Sequence, residues 1–206
     1  MEKIARVSGL NFFSFSFPLH MKGKKLEDKK NLIEDLSSYK QNRPLVKLYS
    51  FYDDQGIYFH FDLDFPFQES NETDYRKGDS IEIFLDTRDN KKAVSMTKFC
   101  HHFIFFPDTR VGKEITNFRL EDRHDFCDPK AFTCKSSFDS KSYSFEISIP
   151  SYCMHGYDPN EFDRLGFCYR VNRKGEDPLY LNVLSEEFAI EKSPSLWASF
   201  DFVKEK

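Results

Sequence analysis

Apolar and polar residues alternate with period two through much of this chain. Over 56–65, Ile57, Phe59, Phe61, Leu63 and Phe65 fall on one side, and Tyr58, His60, Asp62 and Asp64 on the other. Side chains of an extended segment point alternately to its two faces, so this run predicts a strand with an apolar face and a polar, acidic face. Over 79–86, Ile81, Ile83 and Leu85 fall on one face, and Glu82, Phe84 and Asp86 on the other. Turn chemistry rich in Asp and Gly precedes each run. If the two strands pair, they bring histidine, carboxylates and rings together on one sheet face.

The same pattern predicts strands over 45–52, 98–106, 165–171, 179–184 and 196–203. Segments 131–138 and 142–149 read as a hairpin around Asp139-Ser140-Lys141. Pro150 ends the second of these, since proline has no N–H to give the ladder. Near the amino terminus Phe13, Phe15 and Phe17 alternate with Ser14 and Ser16, which reads as an edge strand. Residues 21–42 are polar and lysine-rich. Leu26, Leu32, Ile33 and Leu36 have rough helical spacing there, with Asn31 as a cap, so a short helix or a loop is expected. About nine or ten short strands without strand–helix alternation predict an all-β fold, an antiparallel jelly-roll β-sandwich. One domain spans 1–206, with an N-terminal strand and polar connection over 1–44 and the core over 45–203.

Composition adds little that redirects this picture. Of 206 residues, 24 are Phe and 10 are Tyr, which favours strands. A formal net charge of -4 argues against a nucleic-acid partner, which calls for a basic excess. The five cysteines, Cys100, Cys127, Cys134, Cys153 and Cys168, include no CxxC pair, so a tetrathiolate zinc site is not expected and reduced thiols are. No run has the length of a membrane span, and the amino terminus does not read as a signal peptide, so a cytoplasmic protein is expected.

The segments GIYFHFDLD, GDSIEIFLDTRD, SYSFEISIP, RLGFCYRV and PSLWASFDFV occur in an order that resembles the family 9 carbohydrate-binding modules and related jelly-roll domains. The resemblance covers about 45–203 and extends to stand-alone members carrying CHHFIFFP, FCDP, GYDPNEFDRLGF and PSLWA. It implies a β-sandwich that binds sugar, with structural calcium. Family members clamp a terminal sugar between two tryptophans. This chain has one, Trp197, in the closing motif where the family places a packing residue, so the clamp does not carry over.

Candidate ligand contacts follow from the polar faces: Tyr58, His60, Glu82, Phe84, His101, Arg170, Tyr180, Asn182 and Trp197. Rings stack on the apolar faces of sugars, and carboxylates and Arg bond their hydroxyls. His101 and His102 are adjacent on a strand and point to opposite faces, so they do not readily share a metal. Asp86 and Asp89 are the calcium candidates, since calcium takes carboxylate oxygens; no other cofactor is expected. Glu82 and Glu146 are a weak carboxylate pair for glycoside hydrolysis. No nucleophile elbow, phosphate-binding loop or dinucleotide fingerprint occurs. The expected function is a non-catalytic module binding a glycan or other polar ligand on one sheet face. The alternative is a structural or protein-interaction domain that has lost the sugar site.

Overall fold

In the computed structural model, which describes residues 13–34, 36, 44–119, 121–182 and 189–204, one continuous ladder carries almost the whole fold. In chain order its strands are β1 (Ser16–Met21), β2 (Leu32–Ile33), β3 (Val46–Asp53), β4 (Gly56–Leu63), β5 (Ser80–Asp86) and β6 (Cys100–Phe106). There follow β7 (Val111–Glu114), β8 (Thr133–Phe138), β9 (Tyr143–Pro150), β10 (Arg164–Arg173), β11 (Glu176–Tyr180) and β12 (Ala198–Val203). They are hydrogen-bonded in the order β7-β6-β5-β10-β12-β1-β3-β4-β9-β8, with β11 on β10 and β2 on β3. No α-helix occurs among the described residues. None of their helical turns is long and apolar enough to cross a membrane.

The ladder folds back on itself. Strands β4 and β10 lie far apart along it, yet Phe59 stacks on Phe167 at 5.6 Å and Phe61 meets Tyr169 edge-on at 5.5 Å. Two layers therefore face each other across one core, β7-β6-β5-β10-β12 against β3-β4-β9-β8. Ile57, Phe59, Phe61 and Leu63 line it from one side, and Ile81, Ile83, Leu85, Phe167 and Val171 from the other, all essentially buried. Burying rings of this size is the dominant favourable contribution to such a fold. The expected sandwich is thus present, but β4 and β5 do not pair. β4 lies between β3 and β9, and β5 between β10 and β6. Alternation fixes which way a side chain faces, not which strand lies beside it.

The amino-terminal strand is not an edge. β1 runs parallel to β12, with Ser16 opposite Ser199 and His20 opposite Val203, and parallel to β3 at His20 and Met21. It joins the two layers, and it departs from the purely antiparallel expectation. Phe17 and Leu19 are buried, whereas Phe13 is exposed. The helical reading near Leu26–Leu36 gives way to a 3-10 turn, Lys29–Asn31, followed by β2. Asn31 is not its cap: its side chain is buried and donates to the carbonyls of Lys25 and Leu26. Residues 1–12, 35 and 37–43 of these two readings lie outside the described residues, as do 183 and 184 of the strand expected over 179–184. That strand is seen earlier, as β11, paired to β10 around Gly175. β7, which the sequence reading passed over, extends the first layer beyond β6.

Two cysteines correct the reduced-thiol reading. Cys127 and Cys153 form a disulfide with Cα atoms 5.1 Å apart, while Cys100, Cys134 and Cys168 are free. A separation of 26 residues without a paired motif carried no signal of it.

Candidate functional site

Along β10, Phe167, Tyr169 and Val171 enter the core, so Cys168, Arg170 and Asn172 face outward. The antiparallel register sets Arg170 opposite Glu82 and Asn172 opposite Ser80 on β5, and β6 sets His102 opposite Phe84. This outer face holds a closed ionic network. Arg170 Nε donates to Glu82 Oε1 at 2.7 Å and its Nη2 to Oε2 at 2.6 Å. Asn172 Nδ2 donates to Oε1 at 2.6 Å, and His102 Nε2 lies 2.6 Å from Oε2. Glu82 is fully buried. Burial alone would push its carboxyl up, but the bonds from His102 and Arg170 overcome this and hold it at about 2. For Arg170, burial works against the charge and Glu82 outweighs it, raising the guanidinium further.

The network continues into a pocket of about 490 Å³ whose wall includes Tyr75, Arg76, His102, Asn117 and Glu191. Arg76 Nη2 donates to Glu191 Oε1 at 3.0 Å, and Glu191 Oε2 lies 3.7 Å from Arg170 Nη1. Charges thus alternate from Arg76 through Glu191 and Arg170 to Glu82, whose Oε2 is bonded by His102 on the pocket wall. Tyr75 is half-buried there, with Arg76 5.7 Å from its ring centre. A second pocket, about 380 Å³, lies on the opposite layer beside Lys47, Asp62 and Tyr143; its only lining ring, Tyr143, is buried.

Of the sequence-predicted contacts, Glu82 and Arg170 are brought together and Tyr180 lies opposite Arg170 on β11. Asn182 is close by, donating to the Leu196 carbonyl at 2.8 Å. Phe84 and Trp197 stand on this face too, but as packing and not as exposed platforms. Phe84 lies under the His102 ring at 4.3 Å and beside Trp197 at 5.6 Å, and the indole donates to the Ile190 carbonyl. Tyr58 and His60 belong to the outer face of the other layer, where Tyr58 bonds Asp53 and His60 bonds Asp62. Glu146 is also there, opposite His60, so Glu82 and Glu146 stand on opposite sides of the sandwich. His101 turns inward, away from Glu82. Asp86 accepts from the Arg88 and Asn90 amides. Asp89 accepts from Ser199 and faces Lys91 at 2.6 Å and Arg164 at 3.3 Å. Calcium at Asp86 and Asp89 would have to displace those two cations.

Sequence reasoning missed His102, Asn172, Tyr75, Arg76 and Glu191. Asn172 was findable, two residues from Arg170 on the same strand face. Choosing His102 over His101 needed the register, and the other three reach the site from loops.

The sequence model of the carbohydrate family 9 binding domain-like family matches residues 22–185. The chain belongs to this family. No curated protein matches it. Solved structures similar to this family 9-like domain include a family 9 carbohydrate-binding module from Caldicellulosiruptor kristjanssonii in complex with cellotriose. It is 17% identical, with a TM-score of 0.63, over 93% of this chain and 95% of that one. The same organism's module in complex with glucose is 16% identical, with a TM-score of 0.64, over 93% and 97%. At such identity the likeness is one of fold.

Proposed function

We propose that the protein binds a short saccharide in the pocket walled by Tyr75, Arg76, His102, Asn117 and Glu191, and binds it without chemical conversion. The observation that carries this reading is the charge relay beneath the pocket. Arg76 and Glu191 meet at its wall, and Glu191 is backed by buried Arg170, itself held by Glu82. Sugar hydroxyls pair well with charged planar groups that are already fixed, because little side-chain entropy remains to be lost. The half-buried Tyr75 ring offers the apolar surface on which a pyranose C–H face stacks. Glu82 has no oxygen to spare for a ligand; its part is to position Arg170 and His102. Family membership, and cellotriose and glucose in the related modules, support the same class of ligand.

Calorimetric titration with glucose, cellobiose and cellotriose tests this. Binding is expected for at least one of them, weakened about three- to tenfold in Tyr75→Ala by loss of the ring contact. Silence with every saccharide at millimolar concentration overturns the reading. It would favour the alternative, a protein-interaction domain, for which one observation already speaks: Trp197, the only tryptophan, is 2% exposed and fully engaged in packing.

A further inference from the structure

At the edge of the first layer a separate group of side chains meets on the inward side of β6. His101 from β6, Glu114 from β7 and His124 from the loop that follows bring one ligand atom each to within 4.8 Å of one another. We propose that these three residues bind one divalent first-row transition-metal ion, of the zinc class.

Donor spacing supports it first. Glu114 Oε1 lies 3.0 Å from His101 Nδ1 and 2.8 Å from His124 Nε2. Two ligands each bound to one ion at about 2.0–2.1 Å, at angles between a right angle and tetrahedral, stand roughly 2.8–3.4 Å apart. Proton bookkeeping supports it second. His124 Nδ1 lies 2.6 Å from the Lys98 carbonyl oxygen, which can only accept, so that nitrogen carries the hydrogen. A neutral His124 then turns a lone pair at Nε2 onto a carboxylate oxygen. The two repel unless a cation, a proton or a metal, stands between them. Glu114 Oε1 also receives the Thr116 hydroxyl at 2.7 Å, whereas Oε2 of the same buried carboxylate has no hydrogen-bond partner. A metal bridging the carboxylate to both imidazoles accounts for the crowding on one oxygen and gives the orphaned one a ligand to share.

The surroundings are those of a built site. The Lys98 carbonyl and the Thr116 hydroxyl orient His124 and Glu114 from behind, as outer partners of metal ligands do. Two imidazoles and a carboxylate select zinc and its neighbours; calcium prefers oxygen alone. A pocket of about 510 Å³, walled by His124, His155 and Tyr152 among others, gives an entry path. The site lies beside the Cys127–Cys153 disulfide and would tie the loop to β6 and β7, which makes its role structural.

The test is zinc titration of the full chain after EDTA treatment and dialysis. One equivalent is expected to bind the wild-type protein and raise its melting temperature, and cobalt substituted for zinc should show visible d–d bands. His124→Gln and Glu114→Gln, which keep side-chain size, should each weaken uptake more than about tenfold. His60→Gln, in the more exposed Glu27–His60–Glu146 group, should leave it unchanged. No stoichiometric uptake by the wild-type protein overturns the proposal. Uptake that persists in His124→Gln, or that falls only in His60→Gln, places the metal elsewhere and overturns it equally.

Discussion

Glu82 accepts four hydrogen bonds on two oxygens without access to water, two from Arg170, one from Asn172 and one from His102. A buried carboxylate is tolerated only in such company, and removing it strands a buried guanidinium. Its folded pKa of about 2 lies below the ordinary 4.5, so between these values the unfolded chain binds more protons than the folded one. The stabilisation is complete above pH 4.5 and is lost as pH falls towards 2. By the usual 1.4 kcal/mol per pH unit, this group contributes up to about 3 kcal/mol to that acid sensitivity. Urea unfolding at pH 7 should show Glu82→Gln less stable by about 3–5 kcal/mol, and its stability should fall less steeply than the wild type's between pH 5 and pH 2. An unchanged pH slope would assign the acid sensitivity to other groups. Period-two spacing set Glu82 and Arg170 each on a polar face. It could not single out His102, because both histidines of an adjacent pair look alike until the neighbouring strand is known.

At the level of elements, the strands were legible because large apolar or aromatic residues recur at every second position of β4, β5 and β9. What was not legible was adjacency: alternation left open whether β4 and β5 pair, and they belong to different layers. β1 read as an edge from the alternation of Phe13, Phe15 and Phe17 with Ser14 and Ser16, while its parallel pairing to β12 joins residues from opposite ends of the chain. One turn was encoded tightly. Gly56 follows Asp54 and Gln55 between β3 and β4, with φ 150°, and a β-carbon there would run into the Ile149 carbonyl of β9. Gly175, in the β10–β11 turn at φ 73°, has nothing within 4 Å of such a carbon. Gly56→Ala should therefore cost well over about 1 kcal/mol in denaturant unfolding, and more than Gly175→Ala, which pays only the backbone strain. Equal costs would mean that the close approach of β9 contributes nothing.

For the molecule as a whole, the described fold has two kinds of closure. β1 bridges the layers by hydrogen bonds, and the Cys127–Cys153 disulfide pins the loop after β7 to the turn after β9. The second closure runs against the sequence expectation of reduced thiols. Nothing local announced it, because the pairing exists only once β6, β7 and β9 have set the two segments side by side. Closing a loop of 26 residues restricts the unfolded chain by an amount worth about 3–4 kcal/mol in the chain-entropy model. Cys127→Ser with Cys153→Ser should lower stability by that order. Reducing agent should lower the wild-type melting temperature and leave the double variant's unchanged. The loss should act on the loop that carries His124, so amide exchange should quicken over 121–127 while β5 and β10, which hold the saccharide pocket's charged floor, keep their protection. If exchange quickens equally across both layers, the disulfide stabilises the sandwich globally and the loop has no independent tether.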